Sequence, residues 1–489
     1  MNSSNFFRTE NGSCYLYDTN QLELLNVHPV IETIHQFANN ANDKDITTYI
    51  WERHPELSTS DIRLYQKKYD FLKTYGFFAT FDFDKIFTCH TTAKQIENQM
   101  INLDAITFQV TGACNLKCHY CCYGELYDNT YHKIQNMDFN TILTFFEYII
   151  PYWNLNSNRK LIVIGFYGGE PLLNFPLIET TVDYCKSLES NLLKFNFCIT
   201  TNAVLLDRYA SYLVENDFKI LFSLDGDEKG NRLRVYKNNH PSFKRVFNSI
   251  KKFQQEYPDF FKEKVDFNSV LNRYTPVGEV NRFVFNEFGK IPVVSRISDV
   301  GLNKEKIKEY IHIMQPYIET EELLLLRQEK SSRIKELGIF FYYNLNNSYK
   351  HFSEVFHFNK RRQKKIPTGT CLPFYKKMFI TADGKVYACE RIGFDYDLGT
   401  IDEKVNIDFE KIAQKYATYF SEIKKQCVEC YLADMCSECI FQFPSENKRP
   451  KCSYQYGEEE YKKHLGRIIG LLEKHPELFD QVNKSVFAG

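Results

Sequence analysis

Six short apolar runs recur between about residues 104 and 299, and the segments between them are long enough to contain helices. The runs read DAITFQV, KLIVIGF, KFNFCIT, FKILFSL, VDFNSVLN and PVVSRIS. Buried strands that alternate with helices are typical of a parallel β/α architecture. The pattern therefore predicts an α/β barrel in which the loops after the strands gather at one rim, where active sites form.

The loop after the first strand, GACNLKCHYCCYGE, carries Cys114, Cys118 and Cys121 in a C-x3-C-x2-C spacing. Zinc sites favour cysteine pairs and four protein ligands, and a disulfide cannot use three cysteines on one short loop. Three thiolates on a cubane iron–sulfur cluster leave one iron without a protein ligand. The spacing therefore indicates a reactive cluster. Adjacent Cys122 is outside the pattern and is interpreted as a buried small hydrophobe, with a redox role as the alternative.

This loop resembles that of the radical S-adenosylmethionine (radical SAM) enzymes, in which an aromatic residue, here Tyr120, precedes the third cysteine. The resemblance implies that the open iron binds the amino and carboxylate groups of S-adenosyl-L-methionine (SAM). One electron from the cluster then cleaves SAM to a 5′-deoxyadenosyl radical, which removes a hydrogen atom from the substrate.

The loops after the second and third strands also match the family. Gly168, Gly169, Glu170 and Pro171 follow the second strand and resemble the motif for the amino group of SAM, and paired glycines allow a ligand to approach bare backbone. Asn202, in a Thr-Asn pair after the third strand, is predicted either to lie near SAM or to cap the following helix.

The fourth strand ends near Ser223, and Arg234 follows at the offset where similar enzymes place an arginine. By resemblance these two residues hold the carboxylate and ribose of SAM, since arginine can grip a carboxylate through two parallel hydrogen bonds. Gly230 and Asn231 replace the His-Asp pair that is usual between them, and Arg232 lies close by. The identity of the arginine therefore stays open.

A second set of seven cysteines lies between residues 371 and 452. Two zinc ribbons are one interpretation, but the order of the cysteines, the position of Gly384 and the MFITADGKVYACE hairpin resemble the SPASM domain, which holds auxiliary clusters in enzymes that modify peptides and proteins. The resemblance implies three 4Fe–4S clusters in all. It assigns an outer cluster to Cys427, Cys430, Cys436 and Cys452, and an inner cluster to Cys371, Cys389 and Cys439.

The inner cluster has only three of these thiolates. A distant cysteine such as Cys14 or Cys89 completes it, or one iron is open to substrate. Glu390, directly after Cys389, lies where sulfatase-maturing relatives keep an acidic general base, a role that needs a raised pKa. The alternative is an exposed strand glutamate.

The first hundred residues read as paired strands followed by helices, and Ser58 and Thr59 before Asp61 predict a helix cap. The arrangement resembles the winged-helix module that binds an extended leader peptide as an added strand. A DNA-binding winged helix is the alternative, but 61 basic and 62 acidic residues give no electrostatic footprint for nucleic acid or membrane.

No apolar run reaches membrane-spanning length and the N-terminus lacks the features of a secretion signal, which predicts a soluble cytoplasmic protein. Fifteen cysteines in that compartment remain thiols unless metals hold them. The predicted domains are a winged-helix-like module (1–98), a partial (β/α)6 radical SAM barrel (99–302), a helical bridge (303–366), a SPASM domain (367–455) and a closing helix (456–489).

These resemblances predict an enzyme that modifies a ribosomally made precursor peptide delivered by its leader, with reduced flavodoxin or ferredoxin as electron donor. A thioether is the favoured bond, and other crosslinks compete. A sulfatase-type maturase that makes formylglycine, a non-catalytic scaffold that presents the peptide, and a zinc-ribbon regulator are the alternatives.

Overall fold

The computed structural model describes residues 3–476 apart from 40–44, 129–133, 157, 159, 315–363, 376, 437, 444, 447–448 and 453–454. Its strands are β1 Ser4–Arg8, β2 Cys14–Asp18, β3 Glu23–Asn26, β4 Ala105–Thr111, β5 Lys160–Gly168, β6 Leu193–Thr201, β7 Lys219–Ser223, β8 Val265–Leu271, β9 Val293–Arg296, β10 Met378–Ile380, β11 Lys385–Tyr387, β12 Gly399–Ile401, β13 Val405–Ile407, β14 Ser445–Glu446 and β15 Arg449–Pro450. Its helices are α1 Pro29–Asn39, α2 Ile46–Trp51, α3 Thr59–Tyr75, α4 Phe83–Ile86, α5 Ala93–Asn102, α6 Phe139–Trp153, α7 Phe175–Ser187, α8 Leu206–Glu215, α9 Phe243–Glu256, α10 Pro258–Lys264, α11 Val277–Phe288, α12 Ile307–Ile313, α13 Phe409–Cys427 and α14 Glu458–Lys474.

The six predicted strands are confirmed as β4 to β9. They pair in chain order and all run parallel, with helices α6 to α11 in the connections between them. Within the described residues β9 forms one edge of this sheet and does not pair with β4, so the barrel is open. The carboxyl ends of all six strands consequently lie at the same rim, as the sequence pattern predicts.

The two faces of the parallel sheet differ in chemistry. Toward the helices, apolar side chains such as Phe108, Phe222 and Phe267 are fully buried. The alternate positions are polar or half-exposed, and because successive side chains of a strand point to opposite faces, they line the inside of the barrel. This inner face, here called the lumen, includes Thr107, Gln109, Tyr167, Cys198, Ser223 and Asn268.

The N-terminal strands form a separate antiparallel sheet in the order β1-β2-β3, which packs with helices α1 to α3 around its own apolar core. The predicted cap of α3 is confirmed. The Ser58 hydroxyl accepts a hydrogen bond from the Asp61 backbone N–H, and the Asp61 carboxylate accepts one from the Ser58 backbone N–H. Two backbone donors at the start of the helix are thereby paired, which sets where α3 begins.

The closing helix is also confirmed, as α14. Gly466 lies so close to the carbonyl oxygen of Arg8 that a Cβ at this position would overlap it. Buried side chains of α14 pack against Phe7 and Tyr17 of the N-terminal sheet and against Met435 of the second cysteine region. The helix therefore covers the face of the N-terminal sheet that carries Phe7 and Tyr17, and it connects this sheet to the second cysteine region.

The predicted hairpin is confirmed as β10 and β11, which turn at Gly384 with φ +79°. Strand β10 pairs in parallel with β4, so the chain after residue 364 adds four strands to one edge of the barrel sheet. Of the predicted helical bridge, a short 3-10 turn and α12 are seen, and residues 315–363 lie outside the described residues. None of the helices in the described ranges has the length and apolarity needed to cross a membrane.

Candidate active site at the mouth of the barrel

The cysteine loop after β4 is clamped against the segment that follows β7. The Lys117 N–H donates to the carbonyl oxygen of Val235 at 2.7 Å, and the His119 N–H donates to that of Leu233 at 3.0 Å. These two bonds flank Cys118. The first predicted cluster ligands therefore lie at the carboxyl end of β4, opposite the segment that contains Arg234.

The three thiols of this loop are close enough for their charges to interact. The pKa of Cys114 is raised to about 11, mainly by burial, and the neighbouring Cys121 contributes to this increase. Burial also raises the pKa of Cys118 to about 12, against the opposing effect of the Arg234 guanidinium. A group of buried thiols is costly to ionise without a metal, and iron of an iron–sulfur cluster supplies the compensating charge.

The paired glycines after β5 hold the cysteine loop in place. A Cβ on Gly168, whose φ is +144°, would overlap the carbonyl oxygen of Thr111, and one on Gly169 would overlap that of Ala113. The Gly169 N–H donates to Thr111 at 2.9 Å. The sequence analysis expected a ligand to approach these two glycines closely. On this side, the backbone of the cysteine loop makes that close approach.

The Glu170 carboxylate ties together the loops after β5 and β6. It is fully buried and accepts hydrogen bonds from the Thr201 hydroxyl at 2.7 Å, the Asn202 backbone N–H at 2.8 Å and the Leu172 N–H at 3.1 Å. Burial raises its pKa to about 7, while these donors act in the opposite direction. Pro171 begins the 3-10 turn that follows.

Asn202 lies beside the cysteine loop and does not cap helix α8. Its Oδ1 accepts a hydrogen bond from the Val204 N–H at 3.0 Å, which forms a turn ahead of the helix, and α8 begins at Leu206 without a side-chain cap. Its Nδ2 donates to Asn115 Oδ1 at 2.8 Å and lies 3.7 Å from Cys114 Sγ. The side chain is therefore a direct neighbour of the cysteine loop.

Arg234 and Tyr120 meet at Asp225, a carboxylate to which the sequence analysis gave no role. Asp225 is fully buried, and Arg234 contacts it through Nε at 2.9 Å and Nη2 at 3.0 Å. The Tyr120 hydroxyl and the Val270 N–H at 2.8 Å also donate to this carboxylate. An acidic residue directly after a buried strand was the only sequence signal for it.

The structure distinguishes the two candidate arginines. Arg232 is exposed and stacks on the Tyr274 ring at 4.6 Å, whereas Arg234 is buried beside Cys118 and Tyr120. Asn231, which departs from the family pattern, accepts a hydrogen bond from the Asp225 N–H at 2.9 Å and so supports the same loop. Ser223 is half-buried at the end of β7, on the lumen face.

The seven downstream thiols fall into the two groups that the sequence predicts. The pKa of Cys439 is raised to about 11, mainly by burial, and nearby Cys389 and Cys371 contribute to this increase. Burial likewise raises the pKa of Cys427, with added contributions from the other three thiols of the outer group, namely Cys436, Cys430 and Cys452.

Neither distant cysteine proposed for the inner group lies near it. Cys89 interacts with Cys427 of the outer group, and Cys14 is buried in β2, where its electrostatic neighbours are Arg8 and Glu32. The main thiol neighbours of Cys439 are Cys389 and Cys371, the other two predicted members of the inner group.

In the ranges that the structure describes, no three His, Cys, Asp or Glu side chains converge closely enough to hold a single metal ion. A zinc ribbon needs four ligands at about 2.0–2.3 Å from one ion. A 4Fe–4S cluster spreads its thiolates over four iron atoms and does not need this convergence.

Glu390 does not have the property that the sequence analysis required of a general base. Lys377 pairs with both of its carboxylate oxygens at 2.7 Å. Burial alone would raise the pKa of Glu390, but the charge and hydrogen bond of Lys377 outweigh burial and lower it. The sequence analysis required a raised pKa for Glu390 to act as a general base. The carboxylate that is paired with Lys377 has a lowered pKa and does not meet this requirement.

The interpretation of Cys122 as a buried hydrophobe is also wrong, because this residue is exposed. Its thiol acts electrostatically on Tyr123 and Tyr167, and Glu390 acts on the same two phenols. Burial is the main cause of the raised pKa of both tyrosines. The cysteine loop and the Cys389–Glu390 segment therefore face each other across these two rings at the lumen.

Comparison with known proteins identifies the class that this fold and site define. The model of the radical SAM superfamily matches residues 108–275, and an uncharacterized protein of Methanocaldococcus jannaschii is 30% identical over 321 residues, which span 64% of this chain and 95% of the relative. The chain belongs to the radical SAM superfamily, whose members use SAM and a 4Fe–4S cluster.

Particular relatives include the radical SAM cyclopropyl synthase TigE of Paramaledivibacter caminithermalis, 30% identical over 35% of this chain and 36% of that enzyme. The cysteine-type anaerobic sulfatase-maturating enzyme of Clostridium perfringens is 24% identical over 67% of this chain and 85% of that enzyme. The solved structure of native anSMEcpe with bound AdoMet shares the fold, with a TM-score of 0.53, 19% identity and coverage of 78% of this chain and 99% of that one.

Proposed function

We propose that this radical SAM enzyme modifies a ribosomally synthesised precursor peptide whose leader docks on the N-terminal module. The observation that carries the proposal is at the lumen, where the cysteine loop and Glu390, which directly follows Cys389 of the inner thiol group, act on the same two phenols, Tyr123 and Tyr167. A peptide segment that enters the lumen lies between two redox centres, one to begin its oxidation and one to accept an electron.

Cys114, Cys118 and Cys121 hold the SAM-binding cluster in this proposal, and the outer and inner thiol groups hold two auxiliary 4Fe–4S clusters of a SPASM domain. When bound, the cluster and SAM supply a 5′-deoxyadenosyl radical that removes hydrogen from the substrate. Gly168 to Pro171 and Asn202 fix the loop that binds SAM. Ser223 and Arg234 face its carboxylate and ribose, with Arg234 oriented by Asp225. Reduced flavodoxin or ferredoxin supplies the electron.

The N-terminal sheet supports leader binding through its β3 edge. Helix α14 packs on the face of the sheet that carries Phe7, Tyr17 and Leu24, and β3 has no further strand partner in the described residues. Leu64, Phe71 and Tyr75 are exposed on α3, and the Tyr75 hydroxyl donates to Glu23 of β3 at 3.3 Å. An extended leader can pair with β3 and place apolar side chains on this face of α3.

An anaerobic preparation with SAM and dithionite tests the proposal. The wild-type protein should form 5′-deoxyadenosine, and Cys118→Ala should lose it, because a cluster with two of its three cysteines cannot be held in the same state. Cys198→Ala, which removes a lumen thiol outside the three groups, is the matched control and should retain SAM cleavage. Full peptide modification in the presence of Cys118→Ala would show that this protein is not the catalyst. The non-catalytic scaffold that presents the peptide would then be the remaining interpretation.

A sulfatase-type maturase is the second candidate, favoured by the similarity to the Clostridium perfringens enzyme. The two functions differ in their dependence on the leader. With the precursor peptide encoded nearby, we expect modification to depend on the leader and to be lost in a β3 variant such as Asn26→Pro. Because Val27 donates to Cys14 of β2, the adjacent Asn26 N–H points to the open edge, and proline removes it. Conversion of cysteine to formylglycine in a leaderless peptide, unaffected by Asn26→Pro, would favour the maturase.

A further inference from the structure

Two of the three thiol groups lie beside a buried hydrogen-bond donor that has no acceptor in the part of the chain described by the structure. These donors are the Asn115 side-chain amide and the Tyr416 hydroxyl. We propose that Asn115 donates a hydrogen bond to sulfur of the SAM-binding cluster and Tyr416 to sulfur of the inner cluster, and that these bonds set the two reduction potentials. This inference rests on the proposed function, because it requires that both thiol groups hold clusters.

The orientation of the Asn115 amide follows from a backbone group. The Val204 N–H can only donate, so the Asn202 atom that it contacts at 3.0 Å is Oδ1. Asn202 must then turn Nδ2 toward Asn115, and the Asn115 atom that accepts it at 2.8 Å is Oδ1. The remaining atom of the amide, Asn115 Nδ2, is therefore a hydrogen-bond donor, and it is buried without an acceptor among the described residues.

The Asn115 amide lies next to the first cluster ligand. Cys114 Sγ is 3.9 Å from Asn115 Oδ1 and 3.7 Å from Asn202 Nδ2. The Leu116 backbone N–H already points at the same sulfur at 3.4 Å. A buried N–H without an acceptor is unfavourable. Cluster sulfides and cysteine thiolates carry negative charge and are suitable acceptors at this position.

Tyr416 repeats the pattern at the inner group. It is on α13 and only 1% exposed, and its hydroxyl is buried without a partner among the described residues. The thiols that act on this phenol are Cys439, Cys389 and Cys371, the three members of the inner group. Its ring packs against Phe420 and Phe441, which hold the side chain in place.

A hydrogen bond to cluster sulfur stabilises the reduced state, in which sulfur is more negative, and so raises the reduction potential. Removal of either donor should therefore lower the potential of its own cluster and leave that of the other unchanged. The expected change is on the order of tenfold in the reduction equilibrium, or about 59 mV for a one-electron couple.

The test is an anaerobic redox titration of iron-loaded protein, monitored by electron paramagnetic resonance without SAM. Asn115→Leu should lower the potential of the SAM-binding cluster alone, and Tyr416→Phe that of the inner cluster alone, so each variant is the control for the other. Asn202→Leu, which frees the Asn115 amide to rotate, should give a smaller shift in the first cluster. Asn216→Leu, whose amide donates to the carbonyl oxygen of Tyr212 on α8, should shift neither.

The possible outcomes separate this inference from the proposed function. Unchanged potentials in variants that keep full iron content would overturn the inference alone. The same holds if Asn115→Leu weakens SAM binding but leaves the potential unchanged, since the donor would then serve SAM. If Asn115→Leu does not retain iron, Asn202→Leu and Tyr416→Phe decide the result. If the wild-type protein holds no iron–sulfur cluster, the proposed function itself fails.

Discussion

The two cysteine regions are held in place in different ways. The loop with Cys114, Cys118 and Cys121 rests on long parallel strands and is braced by buried polar groups, Asp225 and Glu170 among them. The region from residue 365 to residue 452 has short strands and three-residue 3-10 turns around its thiols, and α13 is the one long helix that the structure describes there. The comparison teaches that buried hydrogen bonds and long strands brace the first cysteine region more extensively than the second.

Iron removal should show this difference most strongly. Metal binding contributes directly to folding where the polypeptide alone has little structure, as in small metal-stabilised domains. We expect iron-free protein to exchange amide hydrogens at least about tenfold faster across residues 427–452, at about 1.4 kcal/mol per tenfold, while β4 to β7 change little. Hydrogen exchange with mass spectrometry measures both. Equal loss of protection in the two regions would contradict the comparison.

Asp225→Ala should give the largest effect of a single substitution in the barrel. The change leaves Arg234 buried without its carboxylate and removes an acceptor from Tyr120 and Val270. Breaking a buried pair in this way costs about 3–5 kcal/mol. Denaturant unfolding of the iron-free protein measures it. A matched exposed pair, Lys264 with Asp217, gives the control, since Asp217→Ala should cost less than about 1 kcal/mol.

Glu170 predicts a pH dependence of stability in the barrel. Its folded-state pKa of about 7 is above the ordinary value of 4.5, so its favourable contribution is complete below about pH 4.5 and is lost as pH rises through 7. Relative to Glu170→Gln, the wild type should therefore lose about 3 kcal/mol of unfolding free energy between pH 5 and 8. A difference that is constant with pH would show that the carboxylate is ionised throughout.

Gly169→Ala should have the smallest effect of the series and should act on the cysteine loop. Its new Cβ overlaps the Ala113 carbonyl oxygen, so the loop must shift, at a cost of about 1–3 kcal/mol. Thermal unfolding and the iron content of the SAM-binding cluster measure this shift. Gly457→Ala is the control, because its Cβ meets only Glu460 Oε2 at 3.6 Å, in ordinary contact.

The sequence predicted the features that short-range patterns encode. The six strands and the cap at Ser58 follow from periodicity or spacing, whereas the hairpin turn at Gly384 and the two groups of thiols follow from the resemblance to the SPASM domain. These predictions hold because each depends on local backbone geometry, and the long-range contacts of the folded protein are consistent with that geometry.

The features that the sequence did not predict join distant segments. Tyr120 and Asp225 are 105 residues apart, and nothing between them marks their contact. The lowered pKa of Glu390 depends on Lys377, which reaches it only after the hairpin folds. The exposure of Cys122 depends on how its loop enters the lumen. Long-range packing decides all three, and one sequence carries no direct record of it.

The position of α14 limits where this protein can be truncated and how its N-terminal module can be exchanged. Because Gly466 fits against Arg8 and Leu465 packs beside Phe7, the N-terminal module draws part of its structure from the other end of the described chain. A fragment that stops near residue 98 exposes an apolar face that α14 normally covers. Exchange of this module between related enzymes should therefore transfer two separate stretches of sequence, the first hundred residues and the helix from Glu458 to Lys474, as one inherited unit.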